Sequence, residues 1–287
     1  MNDKQPFVSI IIPMYNRKEL FSSIWKTIND QTYTNLEVII VDDGSEKPLQ
    51  IPKYFDDRFR LIRYETNKGP GYARRKGREQ AQGKYIAYLD SDDEWIYNFL
   101  SSTVSILVNN EASMVFCNTL IRSKNSLRVR NKMNSGSKNF FDLIINEKTY
   151  WATGAALWRS HISIDQNWKE YRDHEDYLHD ILSLYKEPTI YYLDKKLCIV
   201  NKNEKQGIKR SNADMLEVLI NLSKNVLDKK RNSKHDLIDF IFFRLKKRKY
   251  NFKDFPYFFS LGKDIACKGY YKESLYLFKL YFKKISK

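Results

Sequence analysis

Short, unbroken apolar runs punctuate the N-terminal half of the chain. Residues 7–13 (FVSIIIP), 36–41 (LEVIIV), 59–64 (FRLIRY), 85–89 (YIAYL) and 114–118 (MVFCN) are β-branched or aromatic and of strand length. Runs that lack apolar/polar alternation suit strands buried on both faces, as in parallel sheets. Helical periodicity separates them. Leu20, Ile24, Trp25 and Ile28 form one apolar face, and Asn16 with Glu19 three residues on fits a capping box. A second helix is predicted from Pro70, suited to a first turn, to a stop at Gly83. Ala73, Gly77 and Ala81 give it a small-residue stripe for close packing on a sheet, and Arg74, Arg75, Lys76 and Arg78 are assigned to its other face. A third helix is expected from about Glu94 to Asn109, and residues 122–139 read as a polar, mobile loop. Strand, helix, strand in this order predicts right-handed crossovers and a mainly parallel α/β sheet.

Two of the strands run into carboxylates. The run at 85–89 is followed by Asp90, Ser91, Asp92 and Asp93, and the run at 36–41 by Asp42 and Asp43. Ligands of open α/β sheets sit outside the carboxyl ends of the strands. Clustered carboxylates do not all stay ionised without a neutralising cation, so a hard divalent metal holding a diphosphate is the economical reading. The bland readings are a helix cap for Asp93 and a polar turn for Asp42 and Asp43. Further on, Leu178, Ile181, Leu182 and Tyr185 mark a helix that begins near Glu175 and Asp176. A helix N-terminus favours the ionised carboxylate a general base needs, although an acidic cap has the same appearance. His174 and His179 are five apart rather than four, which argues against a zinc pair.

The ordered set Val8 to Arg17, Val41 to Ser45, Asn67 through Arg74 to Gly77, and Leu89 to Asp93 resembles the family 2 glycosyltransferases, and the resemblance resumes at residues 153–156 and 174–177. It implies the GT-A (Rossmann-like) fold, a mixed, mainly parallel sheet flanked by helices, and sugar transfer from a nucleotide diphosphate with inversion. By that resemblance Asp92 is the direct ligand of Mn²⁺ or Mg²⁺, with Asp90 and Ser91 facing the ribose or the metal's water shell. Asp42 and Asp43 contact base and ribose, Asp43 taking the uracil N3–H. Pro13, Tyr15, Arg17 and Gly71 line the same donor pocket. Arg74 approaches the diphosphate or base edge, a solvated helix face being its alternative. Asp176 is the base, with Glu175 its neighbour in that role. Gly154 and Ala155 lie on the acceptor side, although tight packing explains Gly154 equally well. Arg75 and Tyr97 depart from the family pattern, which often has Asn and Pro there. The implied product is a surface polysaccharide or lipid-linked saccharide. A metal-dependent nucleotidyltransferase is the rival enzyme, but residues 13–17 are not the Gly-rich, Lys-bearing loop it needs.

Composition adds a boundary. Of the net charge of +15, residues 205–287 carry +13 (21 Lys and Arg against 8 Asp and Glu), so residues 1–204 read as the catalytic domain and 205–287 as a basic helical appendage. Leu237, Phe240, Ile241 and Leu245 form an apolar stripe that ends in basic residues, and 270–284 is similarly aromatic and basic. Such helices suit an anionic membrane surface, or pack on the catalytic domain or a second subunit. A non-catalytic membrane scaffold is the alternative from another class. No nucleic-acid-binding signature accompanies the charge. The three cysteines, Cys117, Cys198 and Cys267, read as buried thiols in a reducing cytoplasm. The polar start, residues 1–6, predicts no secretory signal, and no run reaches the ~20 apolar residues of a membrane span.

Overall fold

A computed structural model describes residues 5–130, 133–145, 151–168, 175–202, 220 and 255–267, with 274, 276, 277 and 279–281. The predicted apolar runs are strands: β1 (Val8–Met14), β2 (Leu36–Asp43), β3 (Phe59–Tyr64), β4 (Tyr85–Tyr88) and the start of β6 (Met114–Ser123). They join β5 (Glu94–Trp95), β9 (Ala156–Arg159) and β10 (Thr189–Asn201) in one sheet of order β3-β2-β1-β4-β9-β6-β10-β5. β3, β2, β1 and β4 are parallel, whereas β9 is antiparallel to both its neighbours, β4 and β6. The sheet is therefore mixed and mainly parallel on its N-terminal side. Strand order reverses direction at β1: the chain goes out to β2 and β3, then returns to β4 on the other side. That makes the carboxyl ends of β1 and β4 the switch point where such sheets bind ligands.

Alternate residues of each strand point to opposite faces, and both faces are covered. On one, Ile11, Ile39, Val41, Ile86 and Tyr88 pack with α2 (Pro70–Gln80) and α5 (Glu175–Leu184). On the other, Ile10, Ile12, Val38, Ile40 and Ala87 pack with α1 (Phe21–Asn29) and α3 (Phe99–Asn109). The small-residue stripe does what its spacing implies. A Cβ at Gly77 would collide with the Ile11 side chain, so α2 rests directly on β1 and β2.

Several expectations are corrected. Asn16 is not a helix cap. It adopts a positive φ of 53°, its N–H donates to Ser45 Oγ at 2.9 Å, and its Oδ1 accepts from Glu46 N at 2.9 Å. Asn tolerates this left-handed turn because its short amide satisfies nearby backbone. Here it ties the loop after β1 to the loop after β2. α2 ends at Gln80, before Gly83, whose N–H donates to Ser9 Oγ at 2.7 Å. The third helix starts at Phe99, because Glu94 and Trp95 pair with Ile199 and Cys198 of β10. Much of the polar stretch 122–139 is ordered sheet: β6 runs to Ser123, β7 (Ser126–Val129) pairs with it, and β8 (Gly136–Asn139) pairs with β10. A period-two pattern is weak in such short polar strands, so the sequence hid them. α4 (Phe140–Ile145) follows β8.

The predicted C-terminal helix at 236–249 and most of 270–284 lie outside the described residues. Within the appendage, α6 (Phe255–Cys267) buries Phe258, Leu261 and Ile265 in the same hydrophobic cluster as Phe116 and Tyr192 of the sheet, together with Leu277 and Tyr281. Apolar residues of the appendage are thus in use as core. Cys117 and Cys198 are buried, but Cys267, at the end of α6, is exposed rather than buried.

Candidate active site

A cleft of about 520 Å³ opens at the switch point, lined from the ends of β1, β2 and β4, the first turn of α2, and the start of α5. Pro13, Met14, Tyr15 and Arg17 descend from β1, Asp43 from β2, and Asp90, Ser91 and Asp92 from β4. Strand ends supply side chains here because the parallel strands stop together at one edge of the sheet.

The acidic loop after β4 is held by arginines. Arg17 Nη1 lies 2.8 Å from Asp92 Oδ2 and donates to Ser91 Oγ at 3.3 Å. Arg74 Nη2 donates to Asp90 Oδ1 at 2.6 Å. Asp93 does not cap a helix. It is buried, accepts the Asn201 N–H at 3.2 Å, and its carboxyl is pushed well above the usual range by burial and by Asp90 and Asp92. Among the described residues no cluster of three or more His, Cys, Asp or Glu forms a complete metal cage. Two carboxylates of this loop, Asp90 and Asp92, line the cleft and are the residues that would hold a hard cation, one that keeps most positions for water and phosphate oxygens.

The pair after β2 divides. Asp43 stays on the cleft wall and accepts the Gly69 N–H at 2.7 Å, which fixes the loop leading into α2. Gly69, at φ 95°, occupies backbone space that a side chain strains to reach. Asp42 is turned away from the cleft and fully buried, which corrects its assignment to donor contact. Its carboxylate takes the Ser45 and Leu49 N–H groups at 2.9 and 3.1 Å and Arg63 Nη1 at 2.6 Å. Burial alone would raise its pKa, but these bonds outweigh that and lower it. Asp42 is thus a structural clamp on the loop that Asp43 leaves. Gly71 is buried in the first turn of α2, and Gly69 and Pro70 line the cleft in its place.

Arg74 lines the cleft where the donor-site reading places it, but from the packed face of α2 rather than the opposite face assigned to it. It is only 4 % exposed, not on a solvated face, and its second nitrogen donates to Glu175 Oε1 at 2.7 Å. The guanidinium also sits 5.0 Å from the Trp168 ring centroid. Burial would depress its pKa, but Asp90 and Glu175 raise it instead. A signal for this inward turn was available: Arg74 lies three residues from both Gly71 and Gly77, on the face that packs. Glu175, buried, has its carboxyl pushed up to about 7 by desolvation against the pull of Arg74. Asp176 lies on the cleft wall and is raised to about 6 by desolvation and by Asp180, again against Arg74. Both carboxylates line the cleft, but Glu175 is tied to Arg74 and serves as an anchor, whereas among the described residues no ion pair joins Asp176 to an arginine.

In the segment that the resemblance assigns to the acceptor, Thr153 lines the cleft, while Gly154 and Ala155 are buried behind it. The Gly154 carbonyl accepts Trp95 Nε1 at 2.6 Å, and a Cβ there would meet only ordinary contacts, so tight packing does not demand glycine at this position. Asn67 and Thr153 are cleft residues that residue type alone does not single out. Of the two departures from pattern, Arg75 sits 5.3 Å from the Tyr72 ring centroid and Tyr97 is exposed. His179 is fully buried and holds no metal geometry; His174 lies outside the described residues.

Sheet and cleft together define a GT-A glycosyltransferase fold. The structure of S. aureus TarS 1-349 in complex with UDP-GlcNAc matches it with a TM-score of 0.74 at 20 % identity, over 90 % of this chain and 80 % of that one. The chain belongs to glycosyl transferase family 2, whose model matches residues 9–168. Escherichia coli WfgD, a UDP-Glc:α-D-GlcNAc-diphosphoundecaprenol β-1,3-glucosyltransferase, is 36 % identical over 122 residues, 42 % of this chain and 48 % of that protein. Bacillus subtilis TuaG, a putative teichuronic acid biosynthesis glycosyltransferase, is 34 % identical over 120 residues, 40 % of this chain and 48 % of its own length. The chain thus spans about half the length of these curated relatives. Among the described residues no helix is long and apolar enough to cross a membrane.

Proposed function

We propose that the protein is an inverting glycosyltransferase that moves a sugar from a UDP-sugar to a hydroxyl of a saccharide or lipid-linked acceptor in surface polysaccharide synthesis. The observation that carries this reading is that Asp43, Asp92 and Asp176, brought from β2, the β4 loop and α5, share the wall of one cleft. Asp43 stands where a carboxylate can accept an imide N–H of the base. Arg17 and Arg74 bring positive charge to the diphosphate end. Asp92, with Asp90, is the pair that would hold Mn²⁺ or Mg²⁺, which when bound neutralises the charge developing on the departing diphosphate. Asp176 accepts the proton of the attacking hydroxyl, and its raised pKa makes it a stronger base while leaving it ionised at neutral pH. Glu175, held by Arg74, fixes the helix end that presents it.

The names of WfgD and of the TarS complex support a UDP-sugar donor, and that of WfgD supports a diphospho-lipid acceptor. We assign the excess basic charge of 205–287 to contact with the anionic cytoplasmic leaflet where such an acceptor resides. The test is direct. UDP-glucose and UDP-GlcNAc, each with Mn²⁺, should raise the melting temperature by mass action and release UDP on turnover. No stabilisation by either sugar nucleotide, and no UDP release, would overturn the reading.

A further inference from the structure

Behind the cleft, a buried hydrogen-bond chain crosses from α5 to the sheet. His179 Nδ1 lies 2.8 Å from Asp180 Oδ1, His179 Nε2 lies 2.9 Å from Ser163 Oγ, and Ser163 Oγ lies 2.8 Å from Tyr88 Oη. The direction of the chain follows from elementary chemistry. Burial, with Arg74 and Arg78 nearby, holds the His179 pKa well below its usual value, so the ring is neutral. A carboxylate only accepts, so Nδ1 carries the hydrogen toward Asp180 and Nε2 is the acceptor. Ser163 then donates to His179 and accepts from Tyr88.

A Ser–His–Asp constellation invites a hydrolase reading, which the burial excludes. Tyr88, Ser163 and His179 are 0 % exposed and Asp180 4 %, so no substrate reaches the serine. The chain is built into its surroundings. The His179 ring stacks on Trp168 at 4.0 Å between centroids, with Tyr88 and Trp158 edge-on to it. Arg78 donates to the Ser163 carbonyl at 2.7 Å and to the Ser160 carbonyl at 2.8 Å, pinning that loop to α2. Its two ends matter most. Tyr88 is the last residue of β4, two before Asp90, and Asp180 is one helical turn after Asp176, where side chains i and i+4 are neighbours.

We propose that the Asp180–His179–Ser163–Tyr88 chain is a positioning element of the transfer site, locking α5 against β4 and placing a fixed negative charge one turn below Asp176. The proposal rests on Asp176 being the base. Among the described residues the charged groups that act on Asp176 are Glu175 and Asp180 on its own helix, Arg74 from α2, and Asp90 from the β4 loop. Arg74 is already committed to Asp90 and Glu175, so Asp180 is the neighbour through which the basicity of Asp176 can be raised without touching either the diphosphate end of the cleft or the anchor. His179 Nδ1 donates to the Asp180 carboxylate and fixes its position.

The test uses the full chain and two readouts. Carboxyl ¹³C signals of Asp-labelled protein are followed between pH 4 and 8, and the signal absent from Asp176→Asn belongs to Asp176. In Asp180→Asn, which keeps shape and can still accept from His179, the Asp176 midpoint should fall by about half a unit or more. The acid limb of UDP release from UDP-glucose with Mn²⁺ should move the same way, with UDP affinity unchanged. In His179→Asn, which retains a donor toward Asp180 but loses Ser163, the midpoint should stay while kcat falls about tenfold at constant KM for UDP-glucose, as for a displaced rather than weakened base. An unmoved midpoint in Asp180→Asn, or wild-type kcat in His179→Asn, overturns the proposal. If Asp176→Asn still releases UDP at the wild-type rate, the base assignment itself fails. If that variant is inactive but the acid limb of Asp180→Asn has not moved, only the present inference fails.

Discussion

Arg74 and Glu175, 101 residues apart, are joined by a 2.7 Å charge-assisted hydrogen bond inside the protein. The same guanidinium holds Asp90 at 2.6 Å, so one side chain links the acidic loop of the proposed donor site to the helix that presents the proposed base. The link predicts strong coupling. Removing one partner of a buried pair leaves an uncompensated charge, and Arg74→Met should cost about 3 kcal/mol or more of stability. Arg74→Met combined with Glu175→Gln should recover part of that loss in a double-mutant cycle. Denaturant midpoints of the four proteins decide it; strictly additive effects would show that the two residues do not depend on each other.

Asp92 should behave in the opposite manner. Its partner Arg17 and its own carboxylate are both partly exposed, and such pairs contribute little to stability. Asp92→Ala should therefore melt within a degree or two of wild type, yet lose at least about 10²-fold in UDP release if it holds a cation at the departing diphosphate. EDTA should produce the same loss, and added Mn²⁺ or Mg²⁺ should restore it. Full turnover in EDTA would remove the metal from the mechanism.

Much of this was legible in sequence because parallel strands announce themselves. The runs at 36–41 and 85–89 needed no partner to be recognised as buried, and their acidic ends mark the switch point. What failed did so for physical reasons. Asp42 and Asp43 are adjacent and chemically identical, so only the strand's alternation in three dimensions separates the clamp from the cleft residue. The resemblance assigns Arg74 to the cleft, but its basic run hides which face of α2 it takes. Its burial depends on Glu175 and Asp90, distant in sequence. β7 and β8 are four residues each and exposed or half-buried, so neither carries an apolar pattern.

Asp42 yields a prediction about acid stability. Its folded pKa is lowered, so the ionised form is favoured in the native state. The stabilisation is therefore present above the unfolded carboxyl value near ~3.9 and is lost as pH falls through the lower folded value. Asp42→Asn should destabilise by about 1–3 kcal/mol at pH 7, since it weakens bonds to Ser45, Leu49 and Arg63. The gap between variant and wild type should narrow toward pH 3. Urea midpoints at the two pH values measure this, and a constant gap would contradict it.

The proposed base predicts a pH–rate profile. The Asp176 carboxyl is raised to about 6, so at pH 5 most molecules carry it protonated and cannot accept a proton. The rate of UDP release should climb through pH 6 and level off above about pH 7. Asp176→Asn should remove that limb and lower transfer by about 10²–10⁴-fold while UDP still binds. Loss of UDP binding in the variant would instead make Asp176 part of the donor site.

The C-terminal appendage separates two contributions that composition merges. Its apolar residues Phe258, Leu261 and Ile265 are in the core, so cutting the appendage away would expose a hydrophobic face and confuse membrane affinity with unfolding. The basic residues can be altered alone. Arg244, Lys246, Lys247, Arg248 and Lys249 are five cations within six positions, and each contributes about 1 kcal/mol near an anionic leaflet. Replacing all five by Gln in the full chain should weaken sedimentation with phosphatidylglycerol vesicles by several orders of magnitude at low salt. Wild-type binding should itself fall as ionic strength rises and the Debye length shrinks to about 10 Å at 0.1 M. The melting temperature and UDP release from UDP-glucose should stay near wild type, because every residue assigned to the cleft precedes position 177. Undiminished vesicle binding by the variant would move the membrane contact elsewhere, and no binding by wild type would end that assignment.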